Sequence, residues 1–199
     1  RYIYNPNAPT PSAAFTNGHI DGPRDISQSA SRRDVLVYNT ADTAELTEDV
    51  EIVGPISARL FAATSGSDTD WMIRLSDVHP DGRALFLGEG VMRARHRDPQ
   101  RHGAFNAHSL STIKPDQPYE YQIDFWRPTG NVFLRGHRIR IEISSSYYPY
   151  YLRNPNADAD NIGLTTEFHT AKQTIFHDAS RQSHAILPVI HARRRRATI

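Results

Sequence analysis

Carboxylates, imidazoles and phenols are the groups in this chain that could do chemistry, and they fall into separate clusters. Asp68 and Asp70 sit two apart in residues 64–70 (TSGSDTD). Two such carboxylates can share a proton or chelate calcium, which makes them the weak metal candidates of the chain. In a Gly/Ser-rich turn the same side chains accept backbone N–H groups, and they are read here as turn residues. Asp158, Asp160 and Asn161 match part of a calcium loop but lack its glycine and its distal glutamate. His96, His102 and His108 recur every six residues. In a loop that spacing fixes no common face, so they are read as solvated. No metal and no cofactor is assigned.

The densest cluster is aromatic: Tyr147, Tyr148, Tyr150 and Tyr151, broken by Pro149 and followed by Arg153, Asn154 and Asn156. A phenol ring is apolar and its hydroxyl hydrogen-bonds, so such a loop can stack on sugar, roof a core or meet another protein surface. Interface and roof are the preferred readings. Arg153, Asn154 and Asn156 are read as pins that hold the loop through backbone hydrogen bonds. Nucleophilic catalysis has no visible carrier. There is no G-x-S-x-G elbow, and its nearest text, residues 65–68 (SGSD), lacks the second glycine.

The elements that must position these groups are strands. Residues 136–144 alternate, with Ile139, Ile141 and Ile143 on one side and Arg138, Arg140, Glu142 and Ser144 on the other. This pattern predicts a strand with a core face and a solvent face, leading into the tyrosine loop. Further strands are expected over 35–38, 50–63 (one or two, punctuated by Gly54 and Pro55), 71–78, 84–94, 119–125, 174–177 and 185–190. The turn over 79–83 (HPDGR) joins two of them as a hairpin. Residues 126–133 are read as a loop. Seven to nine short strands, wide loops and no amphipathic helix predict an all-β fold, a jelly-roll β-sandwich of galactose-binding-domain-like type with long loops. Residues 1–34 are expected to form an extended arm belonging to the domain, 35–190 the sandwich, and 191–199 a disordered basic tail containing Arg193 to Arg196.

Composition agrees with one β-domain: 38% of residues are hydrophobic, with 13 prolines and 11 glycines in 199 residues. The net charge of +1 gives no argument for a nucleic-acid or membrane partner, and no apolar run approaches the ~20 residues of a membrane span. The absence of cysteine excludes disulfides, thiolate nucleophiles and Cys-ligated zinc. The chain opens at Arg1 without methionine and is read as a piece of a longer polypeptide or a processed product. It is expected in the cytoplasm, with secretion left open.

A series of phrases in fixed order resembles the C-terminal domain of the X-Pro dipeptidyl-peptidase and cocaine-esterase-like serine hydrolases, a group that includes α-amino acid ester hydrolases and glutaryl acylases. They include residues 22–25 (GPRD), 33–38 (RDVLVY), 67–71 (SDTDW), 77–84 (DVHPDGRA), 89–95 (EGVMRAR), 136–139 (GHRI), 144–146 (SSS), 153–156 (RNPN) and 187–190 (LPVI). Leu152 departs from the acidic residue common in that family, and Tyr150-Tyr151 from a more polar text.

The resemblance implies an accessory jelly-roll that packs on, and helps wall, the active site of an α/β-hydrolase domain in the same polypeptide. That absent domain would carry the Ser, Asp and His of the triad, so this chain alone is expected to be inactive. Self-association is a further expectation. Phe15, in the arm, becomes a substrate-pocket candidate, and Tyr147, Tyr148, Tyr150, Tyr151, Arg153 and Asn154 become pocket or domain-interface candidates. A free-standing carbohydrate-binding module is the alternative, with a capsid-like jelly-roll a weak third.

Overall fold

The computed structural model describes residues 1–12, 24–40, 45–98, 110–158 and 164–190. Thirteen short strands make up its regular structure: β1 (Tyr2–Tyr4), β2 (Leu36–Asn39), β3 (Val50–Gly54), β4 (Ser57–Thr64), β5 (Asp70–Val78), β6 (Ala84–Arg93), β7 (Tyr119–Asp124), β8 (Thr129–Phe133), β9 (Arg138–Ser144), β10 (Ala171–Ile175), β11 (His177–Asp178), β12 (Arg181–Gln182) and β13 (His184–Ile186). Two 3₁₀ turns, Ser27–Ser31 and Ala94–His96, complete it. Among the described residues no helix is long and apolar enough to cross a membrane.

The strands build an all-β sandwich. In one sheet β4 is central, with β7 along one edge and β10 and β13 along successive parts of the other; β1 pairs with β10. The second sheet runs β2-β9-β5-β6, all antiparallel. Between them lies the apolar core. It takes Ala58, Leu60 and Ala62 from β4, Tyr121 and Ile123 from β7, Trp71, Ile73 and Leu75 from β5, and Ile139 and Ile143 from β9. Within each strand these residues stand two or four positions apart, as one face of a pleated strand requires. A pair, β3 with β8, closes one side and sends in Ile52 and Phe133.

Three expectations need correction. Residues 126–133 are not all loop, because Thr129–Phe133 pairs with β3 over five residues; Pro128 and Gly130 obscure an alternation in which only Phe133 is fully buried. The arm is not wholly irregular either. Tyr2 and Tyr4 bury inward while Ile3 faces out, and this three-residue strand pairs with β10. The largest correction concerns β9. Its supposed solvent face is covered, and Glu142 and Ser144 are fully buried. Residues 24–26 follow β6, with the Ile26 N–H donating to the Ala84 carbonyl and the Phe86 N–H to Arg24. From there the Ser27–Ser31 turn sets Ser29 over β9.

Candidate functional site

On the outer face of the second sheet, register places three charges in one row. Arg74 on β5 lies opposite Glu89 on β6 and opposite Glu142 on β9. Arg74 Nε is 3.3 Å from Glu89 Oε2, and both side chains are almost wholly removed from water. Ser29 Oγ reaches Glu142 Oε2 at 2.6 Å, yet burial still pushes the Glu142 carboxyl up. The Tyr147 ring lies flat on the row, with the Arg74 guanidinium carbon 3.1 Å from its centroid. A guanidinium under an aromatic face combines packing with cation–π attraction. Tyr151 donates its hydroxyl to Glu89 Oε1 at 3.0 Å. Burial, and then Glu89, push that phenol up. Two of the four tyrosines are therefore anchors.

The other two face outward. Tyr150 is 50% exposed and meets Tyr151 edge-on at 4.7 Å; Tyr148, before a cis peptide to Pro149, is 40% exposed. Trp126, 69% exposed, reaches the Tyr151 hydroxyl, and its backbone N–H donates to the Glu89 carbonyl. Trp126, Tyr150 and Tyr151 thus form one aromatic patch over the buried charge row. The arm holds the loop from beneath: the Ser12 N–H donates to the Tyr148 carbonyl and the Tyr148 N–H to the Thr10 carbonyl. Arg153 donates to the Pro6 carbonyl at 3.0 Å and stacks between Tyr148 and Phe168.

Asp68 accepts the Arg95 backbone N–H at 3.3 Å, and Asp70 opens β5. Both are buried, and Asn154 Nδ2 bridges them at 3.1 and 2.9 Å. Arg93 grips Asp70 through Nε and Nη2 at 2.9 and 3.2 Å, and Arg95 Nε lies 3.1 Å from Asp68 Oδ2. Arg95 also reaches Asp158 at 2.7 Å. Burial, and then the neighbouring Asp70, push the Asp68 carboxyl up to about 6. Asn156, at φ +59°, holds Thr69 and the His169 carbonyl. Gly66 must be glycine here, since a Cβ would come within 2.6 Å of the Asn156 carbonyl. Guanidinium and amide donors hold these carboxylates. The cluster ties the loop's end to the start of β5.

The structure therefore brings Asp68, Asp70, Asn154 and Asp158 together, and Tyr147 and Tyr151 onto a second cluster. His96 lies apart, in the turn after β6. Phe15, His102, His108, Asp160, Asn161 and Arg193 to Arg196 lie outside the described residues. A hollow of about 180 Å³ opens between the sheets beside Tyr38, Leu60 and His177, and a broader one of about 550 Å³ lies between the arm and Arg32. Tyr147, Tyr148, Tyr150 and Tyr151 line neither. Sequence reasoning missed Arg74, Glu89 and Glu142, whose pairing appears only once three strands are in register. It also missed Asp77, His79 and His137 at the far end of β5.

Comparison with known proteins matches residues 2–186 to the family described as the X-Pro dipeptidyl-peptidase C-terminal non-catalytic domain. Cocaine esterase of Rhodococcus sp. (strain MB1 Bresler) is 39% identical over 194 residues, covering 95% of this chain and 32% of that protein. An aminopeptidase from a marine sediment Thaumarchaeota archaeon superposes at a TM-score of 0.83 with 30% identity, covering 96% of this chain and 33% of that one. An α-amino acid ester hydrolase superposes at 0.81 with 28% identity, covering 95% and 32%. The chain spans about a third of the length of these relatives.

Proposed function

We propose a role for this chain from one premise: it belongs to the family of X-Pro dipeptidyl-peptidase C-terminal non-catalytic domains. It is the accessory sandwich of a larger serine hydrolase. It packs on an α/β-hydrolase domain of the same polypeptide and forms part of the wall of that domain's active site. The observation that carries this reading is the lopsided coverage: nearly all of this chain aligns with only a third of each relative. The parent reaction is acyl transfer through a serine nucleophile on esters or peptides, with the nucleophile and its base in the other two thirds.

The patch of Trp126, Tyr150 and Tyr151 supports the docking part. Exposed rings on a backbone fixed by buried polar groups have the composition of an interface core, and their rigidity keeps the entropy cost of docking low. Leu152, 58% exposed, lies next to them in sequence. The test is kinetic, in the full-length protein on a panel of esters and X-Pro peptides. Tyr150→Asp puts a charge in the contact and is expected to lower kcat/KM roughly tenfold, about 1.4 kcal/mol of transition-state stabilisation. Unchanged kinetics for every substrate would remove the patch from the role.

A further inference from the structure

The cluster at the far end of β5 has no part in that role. β5 and β9 are antiparallel with Asp77 opposite Ile139 and Val78 opposite Arg138. The same register, carried one step past the strand ends, sets His79 opposite His137. Asp77 and His79, two apart on extended chain, project to one face. Two turns hold the approach. The His79 N–H donates to the Arg83 carbonyl at 2.8 Å, and Gly136, at φ +87°, delivers His137, whose N–H donates to the Leu134 carbonyl.

In the result, His137 Nδ1 is 2.8 Å from Asp77 Oδ1, and His79 Nε2 is 3.8 Å from Asp77 Oδ2. One ligand atom from each residue falls within 4.8 Å of the others, and the two rings are 4.3 Å apart. A hydrogen bond between His137 and Asp77 accounts for two of the three side chains. It does not account for His79. Its Nε2 is buried, has no hydrogen-bond partner, and faces a carboxylate oxygen too distant to accept from it.

We propose that Asp77, His79 and His137 form a binding site for a divalent transition-metal ion of the zinc type. Ligand atoms about 2.0–2.2 Å from a tetrahedral ion stand roughly 3.3–3.6 Å from one another, a spacing the two observed distances bracket. Two neutral imidazoles and a carboxylate suit zinc better than calcium or magnesium, which take oxygen ligands. The fourth position belongs to water, and the 23% exposure of the His79 side chain gives the ion its way in. Bound there, the ion clamps the β5–β6 hairpin to the first residue before β9.

The test is calorimetric titration of Zn²⁺ into the chelator-treated full-length protein at neutral pH, paired with the visible absorption of bound Co²⁺. The native protein should bind one more equivalent than His79→Ala, and that equivalent should carry a Co²⁺ band that Zn²⁺ displaces. Asp77→Asn keeps an acceptor for His137 and should weaken the site by at least the roughly tenfold that even an outer-shell change produces. His177→Ala, at an exposed histidine beside Tyr38, should leave binding unchanged. Equal stoichiometry and affinity in the native protein and His79→Ala would overturn the proposal, as would no binding in either.

Discussion

The two faces of β5 are buried by opposite means. Inward, Trp71, Ile73 and Leu75 enter an apolar core, where burial itself is the driving force. Outward, Arg74 and Ser76 are just as inaccessible, but Arg74 lies among Glu89, Glu142 and Tyr147, and Ser76 between Phe86 and Arg140. There the attraction between charges must offset the cost of taking them from water. All nine residues of the strand are buried. The apolar face makes the sandwich stable, whereas the polar face holds the arm and the tyrosine loop in place.

Five changes test this contrast. Arg74→Ala leaves the buried Glu89 without its cation, and Glu142 with only Arg140 at 3.9 Å, and should cost about 3–5 kcal/mol in chemical denaturation. Replacing Arg74, Glu89 and Glu142 together by apolar residues of similar size should recover most of that loss. A cost below about 1 kcal/mol for Arg74→Ala would mean the row is not a structural unit.

Leu60→Ala, in the apolar core, should cost about 3 kcal/mol, and by the same amount at pH 5 and pH 8, since only cavity and transfer terms are involved.

The polar clusters should respond to pH. Asp68 is held at about 6 in the native state against an ordinary value of 3.8. The folded chain therefore keeps a proton that the unfolded chain has released. The stabilisation from this group is complete below about pH 4 and lost as pH rises through about 6, a decline of about 2–3 kcal/mol. Asp68→Asn should flatten that part of the stability profile. The smallest effect belongs to Arg59 and Glu120, a 2.6 Å pair whose side chains are each about half exposed. Breaking it should leave the denaturation midpoint unchanged, because solvent screens an exposed pair.

Much of the apolar half was legible in the sequence. Period-two alternation marks β4, β7 and the core face of β9, and the turn over 79–83 announces the β5–β6 hairpin. The polar half was not, for a physical reason. Alternation reports which residues differ from their neighbours, and it assigns the charged set to water by default. Arg74, Glu89 and Glu142 are far apart in sequence, and only register brings them together. For the same reason Asp68 and Asp70 read as turn residues, since nothing local shows that Arg93, Arg95 and Asn154 converge on them. The tyrosine loop lay between these cases. Its composition marked it as special, but which rings anchor and which face outward depended on the cover over Arg74.

Oxidative footprinting of the full-length protein tests the docking account most directly. Trp126 and Tyr150 are among the most exposed aromatic side chains of the described residues, with Leu134 and Leu164 exposed elsewhere as controls. If this sandwich packs on a catalytic domain through the aromatic patch, Trp126 and Tyr150 will be shielded while Leu134 and Leu164 are modified as freely exposed side chains. Modification of Trp126 and Tyr150 at the rate of free aromatic side chains would contradict it.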